Sequence, residues 1–464
     1  MTEPSSTKKE AIHWATTLRR RVILALLAAV AIALPFGEGV LISGWVAAVM
    51  LLPLGWFLLA RSHVRLLENV LVCIMALCVT VPAVDLLLRP LIGPHLHFTP
   101  TNMFTRRLPE LPMLGRFDAG VSYVGPGYGD LAAHAGDPRV REPRRIAVIT
   151  DEAGFRNDQD GRDRLDALIV GDSFVAGWGT TQERLFSTLL QTRYGKRTYN
   201  LGFPASPWEE YMNVLLESSR LAFTADAHLI WALYTGNDLF EPYRDIWDPA
   251  LLPRNGKFGA WMQRFRTFRA RSPLRQMIRH FSSRVGTQTV DVIRRELPDG
   301  RPILFTSMNN ELALLSRAEV EQHPNYPLLE QTMSAMGRAA SAQRLRLTVI
   351  IIPTKQEVYR WILEQRMSRS DDTRSSGFAV AVLAACERLK LSCLDTKPFL
   401  SEEAQALFAS TGELLWWRDD THLGDRGHEA IAAFIARHVF EISDAGQIAS
   451  PADSHNAFRG MNVP

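Results

Sequence analysis

The sequence predicts an α/β fold: a parallel sheet with helices on both faces, preceded by an N-terminal anchor of three transmembrane helices. Three observations predict it. Beyond residue 151, short apolar runs alternate with stretches of helical pattern. A glycine follows each of the first three of those runs within two residues. Finally, the apolar excess of the chain lies almost wholly before residue 90, in runs nearly free of charge.

Composition sets the outer bounds. The 464 residues are 47% hydrophobic and 22% charged, which excludes global disorder. Lys plus Arg is 52 and Asp plus Glu 49, a net +3 that gives no argument for nucleic acid. Four cysteines exclude a scaffold built on disulfides.

The anchor is read from three runs. Residues 22–36 carry no charge, residues 40–60 form a second uncharged run, and residues 66–88 hold only Glu68 and Asp85, near the ends. A spanning helix needs about 20 apolar residues. The first run is short and follows Arg19, Arg20 and Arg21, as a signal peptide's apolar region would. No small-residue cleavage site separates it from the second run. Lys8, Lys9 and the arginines before the first run, with Arg61 and Arg65 after the second, place residues 1–21 and the second loop in the cytoplasm. Everything beyond residue 90 is then expected outside an inner (cytoplasmic) membrane, on its periplasmic face. Cys386 and Cys393, seven apart, are there either two buried thiols or a disulfide.

Residues 91–150 carry Pro, Gly and Arg without periodicity and read as an extended connector. A domain over 151–441 follows. Its expected strands are Leu165–Val170, Arg197–Leu201, Ala227–Tyr234, Leu347–Ile352 and Leu391–Leu394. Helical patterns cover 181–193, 207–222, 324–345, 355–367, 377–390 and 424–440. Such alternation builds a parallel sheet, and ligand sites in these sheets lie beyond the carboxyl ends of the strands. Residues 442–464 read as a loose polar tail.

Chemistry concentrates at those strand ends. Gly171-Asp172-Ser173 follows the first strand, Gly202 the second and Gly236-Asn237-Asp238 the third. Ser173 on a sharp strand-to-helix turn exposes a hydroxyl and its own N–H to one space. A serine hydroxyl needs a base, and His422 in Asp419-Asp420-Thr421-His422 can serve. An adjacent aspartate can hold the imidazole tautomer. The N–H groups of Ser173 and Gly202 and the amide of Asn237 can donate to a developing oxyanion. Each piece alone is a common turn or helix cap; their order at successive strand ends carries the argument.

At these residues the chain resembles the SGNH (GDSL-type) hydrolase superfamily over roughly 151–440. Gly171-Asp172-Ser173-Phe174 is similar to its first block, with Phe in place of the usual Leu. Asn200-Leu201-Gly202, Gly236-Asn237-Asp238 and Asp419–His422 are similar to the second, third and fifth. The resemblance implies a flavodoxin-like three-layer domain, an acyl-serine intermediate and neither metal nor cofactor. It makes Ser173 the nucleophile and His422 the base, with Gly202 and Asn237 as oxyanion donors. The family's usual acid lies three residues before the histidine, at Asp419; some membrane-associated and alginate-acetylation relatives use one two residues before, at Asp420. Asp151–Asn157 and Pro353-Thr354-Lys355 also look like segments of anchored members.

An insertion over 244–322 separates the third and fourth strands. Between Arg254 and Arg284 it holds nine Lys or Arg and no acid, and Trp261, Phe265 and Phe268 recur on one helix face. That helix is either a lid packed on the domain or a basic, aromatic-edged surface for anionic glycans or lipid headgroups. The expected function is a membrane-anchored serine esterase acting on O-acyl, chiefly O-acetyl, esters of envelope or exported polysaccharide. An O-acetyltransferase fed by a multi-span acyl-donor membrane protein is the first alternative. A non-catalytic glycan-binding assembly protein is the second.

Overall fold

Five parallel strands carry the fold: β1 (Leu165–Gly171), β2 (Thr198–Asn200), β3 (Phe223–Tyr234), β4 (Arg346–Ile352) and β5 (Ser392–Asp395). The computed structural model describes residues 80–81, 83–89, 97–158, 163–277, 292–308, 313–364 and 374–442. The strands lie in the order β5-β4-β3-β1-β2. β1 thus pairs with β3 on one side (Gly171 opposite Ala232) and β2 on the other (Ile169 opposite Asn200). β3 continues into β4, with Tyr234 opposite Ile352. The chain leaves β1 in one direction and returns past it to β3. The crevice between the carboxyl ends of β1 and β3 is the switch point where such sheets bind ligands.

Side chains alternate across the sheet and build two cores. Leu168, Val170, Leu229, Trp231, Leu233, Val349 and Ile351 face one layer, packed with residues of the helices Pro207–Glu217, Tyr326–Ala342 and Gly377–Leu389. Ala167, Ile169, Ile230, Ala232, Ile350 and Ile352 face the other, with residues of Phe186–Tyr194, Lys397–Thr411 and Asp425–His438. Because both faces are covered, the strands read as continuous apolar runs rather than alternating ones.

The three-helix anchor is the part of the expected fold class that is corrected. No described helix is long and apolar enough to cross a membrane. The spans expected between 22 and 79 lie outside the described residues, as do the cytoplasmic tail 1–21 and the polar tail beyond 442. At the end of the third run the described residues 80–81 and 83–89 are helical. They belong to a separate unit that also holds the described residues 268–277. There Asp85, 8% exposed, accepts from Arg89 (3.0 Å) and Ser272 Oγ (2.6 Å), while the Arg89 guanidinium lies 3.8 Å from the Phe268 ring centroid.

The stretch read as an extended connector is structured over its described part. Thr105–Arg107 pairs with Gly115–Phe117, and Ser122–Gly127 pairs antiparallel with Arg144–Ile149. The helix Asp130–Ala135 lies between the last two. In the insertion, Val292–Glu296 and Pro302–Thr306 form another antiparallel pair, and Lys257–Ala270 is helical. On the aromatic face of that helix Trp261 is 56% and Phe268 47% exposed and Phe265 is half-buried, while Phe258, one turn earlier, is 69% exposed. Cys386 and Cys393 are joined as a disulfide.

Candidate active site

Ser173 begins a one-turn helix, Ser173–Ala176, directly after β1. Asp172 caps it: its Oδ1 accepts from the Phe174 N–H at 2.8 Å. Burial pushes the Asp172 carboxyl up to about 6 despite that bond. At the first helical position the Ser173 N–H has no partner within the helix. Phe174, standing where the resembled family has leucine, is buried against Tyr234 (ring centroids 4.1 Å) and the His422 ring (5.2 Å).

The imidazole arrives from the opposite end of the sequence. His422 Nε2 lies 2.9 Å from Ser173 Oγ, and His422 Nδ1 lies 2.8 Å from Asp420 Oδ1. The same carboxylate oxygen accepts the His422 backbone N–H at 3.1 Å, which ties the turn to the ring. With Nδ1–H donating to Asp420, Nε2 is free to accept the serine proton. The His422 side chain is 12% exposed and the Asp420 side chain fully buried. Burial lowers the proton affinity of His422, but the Asp420 hydrogen bond and the charges of Asp420, Asp130 and Asp172 outweigh it, and the net shift is upward. Burial works against the ionised Asp420 too. The bond to His422 and the Arg144 charge prevail and hold that carboxyl well below the ordinary range.

Asp420, not Asp419, is the aspartate on the ring, which corrects the assignment by the family's usual spacing. Asp419 is consumed elsewhere. Its Oδ2 accepts the N–H groups of Gly129 (2.8 Å) and Glu142 (2.7 Å), and its Oδ1 accepts from Arg144 Nη1 (2.9 Å). The approach to Gly129 is so close that a Cβ there would sit 1.8 Å from the Asp419 carbonyl oxygen.

The oxyanion donors divide. Asn237 sits in a turn closed by Asp238, whose Oδ2 accepts the Tyr234 N–H at 2.7 Å. Asn237 Nδ2 donates one hydrogen to Glu241 Oε1 at 3.2 Å and keeps a second. Gly202 differs from expectation. Its N–H donates to Asn200 Oδ1 at 2.7 Å, so it is not offered to a ligand in this geometry. Its lack of a side chain serves packing: a Cβ would lie 2.3 Å from the Ala176 nitrogen, in the backbone of the nucleophile helix.

Four residues support the site, and two of them, Asp130 and Arg144, escaped the sequence reading. Arg144 Nη2 donates to Asp420 Oδ2 at 2.5 Å, Arg144 Nε donates to the Gly179 carbonyl, and the guanidinium lies over the Trp417 ring. Lys355 is buried, and its Nζ donates to the carbonyls of Leu304, Trp417, Arg418 and Asp420 at 2.7–3.1 Å. Burial brings its pKa down to about 8. Lys355 thereby holds the backbone that carries Asp420. Asp130 and Thr421 lie on the remaining side of His422. No sequence signal marked Asp130 or Arg144, which come from aperiodic stretches more than 270 residues away.

His422 Nδ1 and one oxygen each of Asp130 and Asp420 lie within 4.8 Å of one another, the spacing of a cation's donor set. The direct Nδ1-to-Asp420 bond and the Arg144 cation on the other Asp420 oxygen suit the group to handling a proton. A search among protein families, curated proteins and solved structures finds no match for this chain.

Proposed function

We propose that this chain is an SGNH-like serine esterase that cleaves O-acyl, chiefly O-acetyl, esters of polysaccharide through an acyl-serine intermediate. The observation that carries the reading is the unbroken relay Ser173 Oγ, His422 Nε2, His422 Nδ1, Asp420 Oδ1, with links of 2.9 and 2.8 Å. Ser173 Oγ attacks the acyl carbon as His422 Nε2 takes its proton. The carbonyl oxygen becomes an oxyanion, met by the Ser173 N–H and the second Asn237 amide hydrogen. One such donor is typically worth about 3 kcal/mol in the transition state. The tetrahedral species collapses, and His422 returns the proton to the departing sugar oxygen. Water then enters and attacks the acyl carbon as His422 takes its proton; the acyl–oxygen bond breaks, His422 passes the proton to Ser173 Oγ, and the acid leaves. Asp420 stays ionised throughout and stabilises the imidazolium.

The polysaccharide rests on the family resemblance. Exposed Phe258 and Trp261, with ring centroids 6.0 Å apart and Lys257 and Arg264 beside them on the helix, suit stacking and charge contacts with an anionic glycan. The Cys386–Cys393 disulfide fits an oxidising compartment. The test is hydrolysis of acetylated glycan by the full-length chain, with and without added acceptor sugar. Acetate release that is lost in Ser173→Ala supports the esterase. Transfer to the acceptor in preference to water would make it an acetyltransferase. Equal acetate release by Ser173→Ala would remove the mechanism.

A further inference from the structure

A second carboxyl lies against the ring that Asp420 orients. Asp130 opens the helix Asp130–Ala135, and its Oδ2 is 3.9 Å from His422 Nδ1. Its Oδ1 accepts the N–H of Thr421 at 2.9 Å and of Leu131 at 2.7 Å, and its Oδ2 accepts the Thr421 hydroxyl at 2.5 Å. Thr421 Oγ1 is itself 3.2 Å from His422 Nδ1. Asp130 therefore grips the one residue between Asp420 and His422 and faces the imidazole. Resting on the Ser173–His422–Asp420 reading, we infer that Asp130 is a positioning residue that holds the Asp420–His422 turn and, when ionised, strengthens His422 as a base.

The surroundings give the charge of Asp130 its leverage. Asp420 is already neutralised in part by Arg144, which also binds Asp419. Lys355 sits beneath the turn carbonyls, and Asp172 lies on the serine side. Asp130 has no ion pair with either cation among the described residues. Burial and the neighbouring Asp420 charge push its carboxyl up to about 7. His422 is also shifted upward, in part by the Asp130 charge, so protonation of each group alters the other and the two titrate as a coupled pair. The sign follows. Below the Asp130 midpoint that carboxyl is neutral and the ring feels chiefly Asp420, with the smaller charge of Asp172 behind it. Above it a second carboxylate favours the imidazolium, so His422 binds the serine proton more strongly.

The test reads His422 directly, by NMR of ring-labelled histidine in the full-length Ser173→Ala chain. Asp130→Asn keeps an acceptor for Thr421 and removes the charge. The His422 midpoint should fall by about one pH unit, the low end for an opposite charge at this distance. An unchanged midpoint would overturn the inference. If Asp130→Asn does not fold, the carboxyl carbon of Asp130 in the Ser173→Ala chain serves instead: it and the His422 ring should each show an inflection at the other's midpoint. Independent single-site curves would refute the coupling. In the active chain the acid limb of kcat/KM should move down with Asp130→Asn, whereas a merely structural role lowers the rate at every pH. A shifted His422 midpoint in a chain that hydrolyses no ester would retain the coupling and reject the esterase.

Discussion

Replacing Asp420 by asparagine has a consequence that the geometry works out in detail. Asp420 Oδ1 stands 2.8 Å from His422 Nδ1, and Oδ2 stands 2.5 Å from Arg144 Nη2. An asparagine there offers one oxygen and one NH2. Arg144 can only donate, so it claims the oxygen. The NH2 then faces Nδ1, which must accept, and the ring proton moves to Nε2. In that tautomer Nε2 cannot take the Ser173 proton. The equivalent change in serine proteases lowers kcat by about 10⁴, which is about 5 kcal/mol of barrier. Asp419→Asn should behave differently. Asp419 bonds to Arg144 and two backbone N–H groups and does not meet the ring, so neutralising it costs about 1.5–3 kcal/mol of stability and leaves kcat within about tenfold. Steady-state hydrolysis of an activated acetyl ester, alongside urea unfolding, separates the two variants. The reasoning is refuted if Asp419→Asn loses more kcat than Asp420→Asn.

Other perturbations probe the supports. Lys355→Met leaves four buried carbonyls without their shared cation and should cost about 3–5 kcal/mol by urea unfolding, with kcat falling as the Asp420 backbone loosens. Gly129→Ala forces a methyl into the Asp419 carbonyl and should destabilise by about 1–3 kcal/mol, measured as a lowered melting temperature with a reduced rate. Cys386→Ser opens a short loop and should cost about 2–3 kcal/mol. Its kcat should be unchanged, because Cys393 is the second residue of β5, opposite Val349 in the middle of β4, and neither adjoins the strand ends that carry Ser173 and Asn237.

The sheet was legible because its physics is local. A strand buried on both faces must be an apolar run, and a chain turning sharply into a site favours glycine. Both signs stand at Gly171, Gly202 and Gly236. The spacing of Ser173 and His422 from the strand and helix ends was legible for the same reason. The helix Lys397–Thr411 was missed because it buries only Leu400 and Ala404 of its apolar residues, with Lys397 and Ser401, a stripe too narrow to show a period. Ser122–Gly127 hid behind Pro126 and two glycines. The choice between Asp419 and Asp420 was not decidable from spacing. It depends on Gly129, Glu142 and Arg144, whose positions are set by tertiary pairing across more than 270 residues. Gly202 was read as a donor, but the side chain of Asn200, two residues earlier, captures its N–H. The apolar runs before residue 90 carried the anchor reading on composition alone, and the described helices supply no span to support it.

The central claim is that Ser173 carries the acyl group. Intact-mass analysis of the full-length chain quenched during turnover of an acetyl donor tests it most directly. The account predicts one added acetyl, mapped by peptide fragmentation to Ser173, accumulating in His422→Ala only far more slowly and never in Ser173→Ala. Acetyl mapped to another residue, or turnover undiminished in Ser173→Ala, would contradict it.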